Sequence, residues 1–313
     1  MALALYRKYR PRTLKDLLGQ DEIVTVLTNA ARQDKIAHAY LLYGNRGSGK
    51  TTTARLIAKL ANCETRATNA KFKEKGEPCN KCRPCTEIDA GHGLDVIEID
   101  AASNRGIDEI RNLKEGIRLS TTSYRFKVFI IDEVHQLTKD AFNALLKTLE
   151  EPPAHAIFIL ATTEFEKVPA TISSRTQRFH FKKVPIVQLT EKLKEIVKAE
   201  KFDVKDDALE LIASVSDGSF RDAESLLDQL TSGGETITLA RVEKLIGRVG
   251  MRRTATLAER LLSNDLQGSL QYVAEIQEAG FNVNDLTKEL IHYLRRALSL
   301  KFDPKLEGLF ARE

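Results

Sequence analysis

The sequence contains no tryptophan, only four cysteines and two methionines, and no long run of apolar residues. No stretch reaches the roughly 18 uncharged apolar residues that a membrane-spanning helix needs. The apolar run in the N-terminal segment MALALYRKYRPRTLKD is too short before its charges for a secretory signal. We therefore expect a cytoplasmic chain that has no membrane partner.

The sequence also has no large net charge of either sign and no internal repeats. The formal net charge is only +4, so a nucleic-acid partner is neither required nor excluded, because phosphate binding depends on local basic patches. Because the cytoplasm is reducing, the four cysteines are not expected to form structural disulfides, which leaves metal ligation, redox chemistry or burial as simple thiols. With 313 residues, of which 42% are hydrophobic and 29% charged, the chain has the composition of a packed globular protein of two or three domains.

Strand-like and helix-like segments alternate over residues 1–180. Four apolar runs that favour strands lie at 39–43, 95–99, 127–131 and 156–161. Strands that alternate with helix-length segments indicate a parallel sheet covered by helices on both faces. The segment QLTKDAFNALLKTLEEPP has apolar residues spaced by four and ends in two prolines, which predicts one helix with a buried stripe. We predict a small helical domain over 181–242 and a further helical unit over 243–313, which we expect to be truncated.

A glycine-rich segment, GNRGSGKT, follows the first predicted strand and precedes a predicted helix. This is the context of a phosphate-binding loop, in which backbone N–H groups and the helix N-terminus cradle phosphate oxygens. In such a loop Lys50 reaches the β- and γ-phosphates of a nucleotide, and Thr51 supplies a hydroxyl ligand to Mg²⁺. The predicted nucleotide-binding residues of the loop are Gly44, Asn45, Arg46, Gly47, Ser48, Gly49, Lys50, Thr51 and Thr52.

Two acidic residues, Asp132 and Glu133, follow the apolar run KVFII. A carboxylate at the end of a buried strand beside a phosphate loop holds Mg²⁺, here through Asp132, and the adjacent Glu133 orients the attacking water as a base. The alternative is an acidic pair that caps a helix after a core strand. The phosphate loop lies about 80 residues upstream, and together the two motifs predict nucleotide hydrolysis without a covalent intermediate.

The four cysteines, Cys63, Cys79, Cys82 and Cys85, follow the pattern C-x15-C-x2-C-x2-C. Four thiolates complete a closed tetrahedral Zn²⁺ site, and a metal supplies the ordering energy that the polar segment between them lacks. Because no coordination position stays open, the predicted zinc is structural. Its loss is expected to disorder residues 63–85 and to leave ATP affinity nearly unchanged. Redox dithiol chemistry and simple buried thiols are the alternatives.

Together these motifs resemble the gamma/tau subunits of the bacterial DNA polymerase III clamp loader, a family of AAA+ ATPases. The resemblance covers residues 1 to about 242 and rests on the cysteine pattern and on LYRKYRPRTLKDLLGQ, HAYLLYGNRGSGKTT, DVIEIDAASNRGIDEIR, FKVFIIDEVHQLTKDAFNALLKTLEEPP, ILATTEFEKVPATISSR and GSFRDAESLLDQ. It implies an α/β AAA+ P-loop domain with a five-stranded parallel sheet and a zinc-binding insertion, followed by a helical lid and a partial helical collar.

The resemblance also assigns roles to single residues. Arg175 matches the arginine of a Ser-Arg-Cys motif that reaches the ATP site of a neighbouring subunit, although this chain has Thr176 in place of the cysteine. Thr162 or Thr163 matches a polar sensor between the acidic pair and the γ-phosphate, and Arg221 matches a second sensor. The alternatives are a solvated basic turn, a strand-end threonine and an exposed helix arginine.

Two further segments carry a function only by resemblance. In similar proteins the N-terminal YRKYRPR packs over the adenine, with Arg10 and Pro11 nearby, whereas the alternative is a basic tail. Ser103 and Asn104 precede a predicted helix whose N-terminus binds a DNA backbone phosphate, or they form a simple N-cap.

The implied function is that of an ATP-hydrolysing motor that loads a sliding clamp onto primed DNA within the polymerase holoenzyme, using ATP, Mg²⁺ and Zn²⁺. The implied partners are the delta and delta-prime subunits, further gamma/tau copies, the clamp and primer-template DNA. Two alternatives are a non-hydrolysing scaffold subunit and another AAA+ ATPase that acts on DNA, such as a branch-migration motor. The intact phosphate loop and acidic pair argue against the first, and the cysteine insertion argues against the second.

Overall fold

The computed structural model describes residues 3–104, 115–117, 119–247 and 250–303. Backbone contacts divide the chain into two compact units. The first consists mainly of Tyr6–Val184 with the short segment Ser219–Arg221, and the second mainly of Pro185–Gly218 and the residues from Asp222 onward. The finer division at residues 180 and 242 stays a prediction.

A five-stranded sheet organises the first unit. Its strands are β1 (Ala39–Gly44), β2 (Val96–Asp100), β3 (Lys127–Asp132), β4 (Ala156–Thr162) and β5 (Gln177–Phe181). The strands are all parallel and their order is β2-β3-β4-β1-β5, which confirms the predicted sheet. Because parallel strands end at the same edge, the residues that follow β1, β3 and β4 meet there.

Helices connect and cover these strands. Those whose bounds the structure describes, up to residue 173, are α1 (Leu5–Lys8), α2 (Asp21–Gln33), α3 (Lys50–Asn62), α4 (Glu64–Thr68), α5 (Ala70–Lys73), α6 (Arg83–Ala90), α7 (Lys139–Glu150) and α8 (Ala170–Ser173). The helix predicted before the two prolines is α7. It begins after Thr138, whose hydroxyl accepts a hydrogen bond from the backbone N–H of Ala141 and so satisfies one of the free donors of the first turn.

Alternate residues of the strands pack into two separate cores, one on each face of the sheet. One core contains Tyr40, Leu42, Ile130 and Ile159 together with apolar residues of α2 and α3. The other contains Leu41, Phe129, Ile131 and Phe158 together with Ala141, Leu145 and Leu149 of α7. Burial on both faces explains why the strands read as continuous apolar runs in the sequence.

The edge strand β5 lies just after Arg175, beyond the four strands that the apolar runs of the sequence located. Its buried residues, Phe179 and Phe181, alternate with exposed positions that include Arg178. This period of two is the pattern of a strand with one solvated face, and it is the signal that could have located the fifth strand. Arg178 is therefore an exposed residue of an edge strand.

The chain beyond Val184 is helical where it is described. Its helices are α9 (Ile186–Glu200), α10 (Asp206–Val215), α11 (Phe220–Thr231), α12 (Leu239–Ile246), α13 (Met251–Leu262), α14 (Leu266–Glu278) and α15 (Val283–Phe302). A small core formed by Leu257, Ile276, Phe281 and Leu286 joins the last three of these helices. Among the described residues, none of the helices combines the length and the apolar character that crossing a membrane requires.

Candidate nucleotide-binding site and cysteine cluster

The glycine-rich loop joins β1 to α3 at the carboxyl edge of the sheet. Gly47 has a φ of 71° and Gly49, which caps α3, a φ of 101°. Gly44 has a φ of 142°, and a Cβ added there would lie 2.3 Å from the carbonyl oxygen of Phe181. Positive φ angles and this close approach restrict the three positions to glycine, which accounts for the spacing of the motif.

Lys50 is the first residue of α3 and is only 6% exposed. Its ammonium group donates hydrogen bonds to the carbonyl oxygens of Gly44 at 2.9 Å and Asn45 at 2.7 Å. Burial lowers the pKa of Lys50, and the carboxylates of Glu133 and Asp132 oppose that shift. The ammonium group therefore lies within the loop, where it can contact the phosphates of a nucleotide.

The two predicted Mg²⁺ ligands lie in direct contact. Thr51 Oγ1 donates a hydrogen bond of 2.7 Å to Asp132 Oδ2, although the two residues are 81 positions apart in the sequence. A hydroxyl and a carboxylate oxygen are the protein ligands that a hard, oxygen-preferring Mg²⁺ takes beside nucleotide phosphates. The residues present therefore fit a magnesium ion.

Glu133 has an uncommon backbone conformation, with a φ of 48°. Its carboxylate accepts hydrogen bonds from the backbone N–H of Thr163 at 3.2 Å and from the Thr163 hydroxyl at 2.9 Å. Left-handed geometry at a residue with a side chain costs on the order of 1–3 kcal/mol and is concentrated at functional positions. The strained turn after β3 and the end of β4 together hold this carboxylate beside Asp132.

The two candidate sensor threonines differ in their surroundings. Thr162 is fully buried, and its hydroxyl lies 2.9 Å from Nδ1 of His135. Thr163 is the one that contacts Glu133. His135 also lies 3.4 Å from the Glu133 carboxylate and 3.1 Å from that of Glu164, so it belongs to the same cluster. His135 was not among the predicted site residues, although a histidine two positions after Glu133 in DEVH was a visible signal.

Arg10, one of the two predicted adenine-binding residues, lies close enough to the predicted second sensor, Arg221, for their charges to interact. Burial, and then the positive charges of Arg55 and Arg221, lower the pKa of Arg10, while the carboxylate of Glu98 opposes that shift. The guanidinium carbon of Arg221 lies 5.3 Å from the centroid of the Tyr6 ring. Pro11 is partly buried. Residues 6–12, helix α3 and Arg221 thus all belong to the first unit.

Arg175 is paired within its own chain. Its Nε donates to a carboxylate oxygen of Glu150 at 2.8 Å, and a second guanidinium nitrogen donates to the carbonyl oxygen of Thr171 at 2.7 Å. The side chains of Arg175 and Glu150 are 34% and 48% exposed, and such exposed ion pairs contribute less than about 1 kcal/mol. The hydroxyl of Thr176, which stands where the Ser-Arg-Cys motif would have its cysteine, donates to the carbonyl of Ser173 at 3.1 Å and so makes a local hydrogen bond.

The Sγ atoms of Cys63, Cys79, Cys82 and Cys85 all lie within 4.8 Å of one another. The backbone N–H groups of Cys82 and Cys79 donate to the sulfurs of Cys79 and Cys63 at 3.2 and 3.4 Å, and the hydrogen bond from Cys85 lowers the pKa of Cys63 to about 5. Thiolates bound to one tetrahedral Zn²⁺ at about 2.3 Å lie about 3.8 Å apart. The cluster therefore fits a closed four-thiolate zinc site.

Ser103 and Asn104 both contact Asp100. Ser103 Oγ donates to a carboxylate oxygen of Asp100 at 3.2 Å, and the Asn104 side chain donates to its carbonyl oxygen at 3.0 Å. The helix predicted after them lies outside the described residues. Their contact with DNA and the N-cap alternative both stay predictions.

A phosphate loop after a central parallel strand, with an acidic pair at the end of the next-but-one strand, defines a P-loop protein of the AAA+ class. The Thermotoga maritima RuvB Holliday junction branch migration motor has the same fold: it aligns over 92% of this chain and 91% of that chain, with a TM-score of 0.56. The two are 18% identical, so this likeness concerns the fold alone.

Sequence comparison narrows the class to a family. Residues 19–185 match the family model described as DNA polymerase III, delta subunit, and residues 188–235 match the DNA polymerase III clamp loader subunit, ATPase lid domain. The DNA polymerase III subunit tau of Bacillus subtilis (strain 168) is 44% identical over 99% of this chain and 54% of that protein. The subunit gamma of Buchnera aphidicola subsp. Schizaphis graminum is 40% identical over 96% of this chain and 82% of that protein.

The chain therefore belongs to the gamma/tau family of DNA polymerase III clamp-loader subunits. It spans about half the length of the tau relatives that it matches, including the Escherichia coli (strain K12) subunit, which is 39% identical over 97% of this chain and 46% of that protein.

Proposed function

We propose that this chain binds and hydrolyses ATP as a motor subunit of the bacterial replicative clamp loader. The observation that carries the proposal is the 2.7 Å contact between Thr51 and Asp132, which brings the phosphate loop and the acidic strand end into one site. Membership of the gamma/tau family supports the context of DNA replication, and hence the cytoplasm as its place of action.

Nucleotide binding follows from the groups at the sheet edge. The loop N–H groups and Lys50 hold the phosphates, and Arg10 and Pro11 pack against the adenine. Arg221, at the end of the segment Ser219–Arg221, also contacts the phosphates. Thr51 and Asp132 would hold Mg²⁺, which neutralises charge on the β- and γ-phosphates when bound.

Hydrolysis needs a positioned water and a stabilised transition state, and no covalent intermediate. Glu133 orients the water as general base, and Thr163 holds the Glu133 carboxylate through two hydrogen bonds. Arg175 completes the site of a neighbouring copy, where its charge stabilises the phosphoryl group in transfer. Hydrolysis then depends on the alignment of subunits.

This dependence couples hydrolysis to clamp loading. With ATP bound, copies of the chain together with the delta and delta-prime subunits open a sliding clamp and hold primer-template DNA. Hydrolysis releases the clamp around the duplex. ATP is the substrate of this cycle, and the clamp and primed DNA are the partners that trigger it.

The test is steady-state ATP hydrolysis by the chain alone and then with the other loader subunits, the clamp and primed DNA. We expect the rate to rise only when all of these are present. A rate that stays the same after every addition would contradict the motor function. A chain that binds no nucleotide would instead support the scaffold alternative.

We further propose that the cysteine cluster holds one structural Zn²⁺. Protein purified without chelators should contain about one equivalent of zinc, and Cys82→Ser should lose most of it because a three-thiolate site binds the ion less tightly. Elemental analysis measures the metal. Lys81→Ala, an exposed change in the same loop, is the matched control and should keep its zinc. Four freely reactive thiols in the wild-type protein would rule the site out.

A further inference from the structure

Two buried charged residues, Lys59 and Glu77, connect the cysteine segment (residues 63–90) to the N-terminal segment (residues 10–17). Lys59 is completely buried and Glu77 is 8% exposed. Neither stands out as a functional residue by sequence alone, although a lysine inside the apolar run LIAKLA is unusual. Since buried charges are retained only when they are paired, their partners show what they hold in place.

Glu77 caps the short helical turn Leu14–Asp16 from a distant part of the chain. Its two carboxylate oxygens accept hydrogen bonds from the backbone N–H groups of Leu14 at 2.7 Å and Lys15 at 3.2 Å. N–H groups in the first turn of a helix have no partner within the helix, so an ionised carboxylate is a strong acceptor for them. The cysteine segment thus supplies the cap that this turn needs.

Lys59 makes a second connection between the same two segments. Its ammonium group donates to the carbonyl oxygen of Arg12 at 3.0 Å, to the side chain of Asn80 at 2.7 Å and to that of Asp89 at 2.8 Å. An ammonium group has three protons, and all three are used here. Because Asn80 lies between the second and third cysteines, the cysteine loop is part of this network.

The N-terminal segment in turn packs against the phosphate loop. Leu17, which follows the capped turn, is buried, and one of its methyl carbons lies 3.8 Å from the position that a Cβ of Gly49 would occupy. Arg10 and Pro11, the predicted adenine-binding residues, begin the same segment. A loose turn at Leu14–Asp16 would therefore disturb both the phosphate and the adenine ends of the site.

We infer that Glu77 and Asn80 are positioning residues for nucleotide binding, which hold the N-terminal segment against the phosphate loop and so make nucleotide affinity depend on the order of the cysteine segment. The inference rests on the proposed ATP-binding function. It is opposed to the sequence-based expectation that loss of the zinc leaves ATP affinity nearly unchanged. If the binding-competent arrangement is populated less often, the apparent affinity falls by the same fraction while chemistry at the bound site is unchanged.

Two variants test this inference. Glu77→Gln keeps the shape but offers only one acceptor oxygen to the two N–H groups. Asn80→Gly removes the amide that contacts Lys59, and it adds no strain because Asn80 already has a φ of 56°. Glu74→Gln is the matched control, since it removes the same charge at an exposed position of the cysteine segment.

The readouts are the Kd of a fluorescent ATP analogue, KM and kcat of hydrolysis, zinc content and the thermal unfolding midpoint. For Glu77→Gln and Asn80→Gly we expect Kd and KM to rise about fivefold to tenfold with kcat nearly unchanged, as the loss of one charge-assisted hydrogen bond allows. The zinc content of both variants should match that of the wild type. The control Glu74→Gln should match the wild type in Kd, KM, kcat, zinc content and unfolding midpoint.

Wild-type Kd and KM in both variants, with zinc retained, would overturn the inference while leaving the proposed function intact. A fall in kcat with unchanged Kd would also overturn it, because a positioning role in binding does not act on chemistry. If Glu77→Gln does not fold, Asn80→Gly alone decides the outcome. A wild-type chain that binds no ATP would instead refute the proposed function.

Discussion

Lys50→Ala is expected to lower clamp-stimulated ATP hydrolysis by at least about a hundredfold, the usual cost of removing a group that stabilises transition-state charge. The Lys50 ammonium group lies inside the phosphate loop, bound to the carbonyls of Gly44 and Asn45. Without it, the carboxylates of Asp132 and Glu133 face the incoming triphosphate without the ammonium group that opposes their charge. We therefore expect weaker nucleotide binding, a lower kcat and the loss of ATP-dependent clamp loading.

The control for this variant is Lys35→Ala, which removes an exposed lysine with the same change of charge. Circular dichroism should show that both variants keep their helical content, because the two loop carbonyls freed in Lys50→Ala can bind water. Clamp loading at the wild-type rate in Lys50→Ala would refute the proposed mechanism.

Arg175→Ala is expected to reduce hydrolysis in the assembled loader by about a thousandfold, the scale of an arginine supplied in trans. The basal rate of the dilute chain should stay the same, because the described hydrogen bonds of Arg175 are with Glu150, Thr171 and Ser174, none of which is a predicted residue of its own nucleotide site. The ion pair with Glu150 does not prevent a role in trans, since breaking an exposed pair costs less than about 1 kcal/mol. Steady-state hydrolysis with and without clamp and primed DNA measures both rates.

Arg178→Ala is the matched control, because Arg178 is an exposed arginine on the neighbouring edge strand. Assembling the loader from a mixture of Lys50→Ala and Arg175→Ala copies gives a sharper test of whether Arg175 acts on a neighbouring copy. Copies with Lys50→Ala keep Arg175, and copies with Arg175→Ala keep an intact phosphate loop, so assemblies that contain both should regain part of the hydrolysis. If no mixture is more active than the separate variants, Arg175 does not complete a neighbour's site.

Contiguous motifs explain most of what could be predicted. The phosphate loop needs glycine where φ is positive and lysine at the start of a helix, so its residues, order and context are all visible in one short segment. The cysteine pattern is equally local, and its four sulfurs do lie within 4.8 Å of one another. The resemblance implied a fifth strand, but no apolar run located β5, because its two buried phenylalanines form only a short alternation beside a turn.

The choice between neighbouring residues required the structure. Thr162 and Thr163 are equivalent in sequence, but successive residues at a strand end point in opposite directions, so that only Thr163 reaches Glu133. In the same way, no local pattern links Glu77 to Leu14, which lie 63 positions apart. Contacts of this kind depend on how β-strands and loops are brought together.

The sequence by itself determined the class of the fold, the glycine-rich loop and the cysteine cluster, because each of these depends on backbone conformation or spacing within a short segment. Only the tertiary structure decided which acidic, hydroxyl and basic groups share a site: Thr51 with Asp132, Thr163 with Glu133, and Lys59 and Glu77 with the N-terminal segment. The physical reason is that parallel strands distant in sequence end at one edge of the sheet, and buried charges bind whichever partners the packing brings to them.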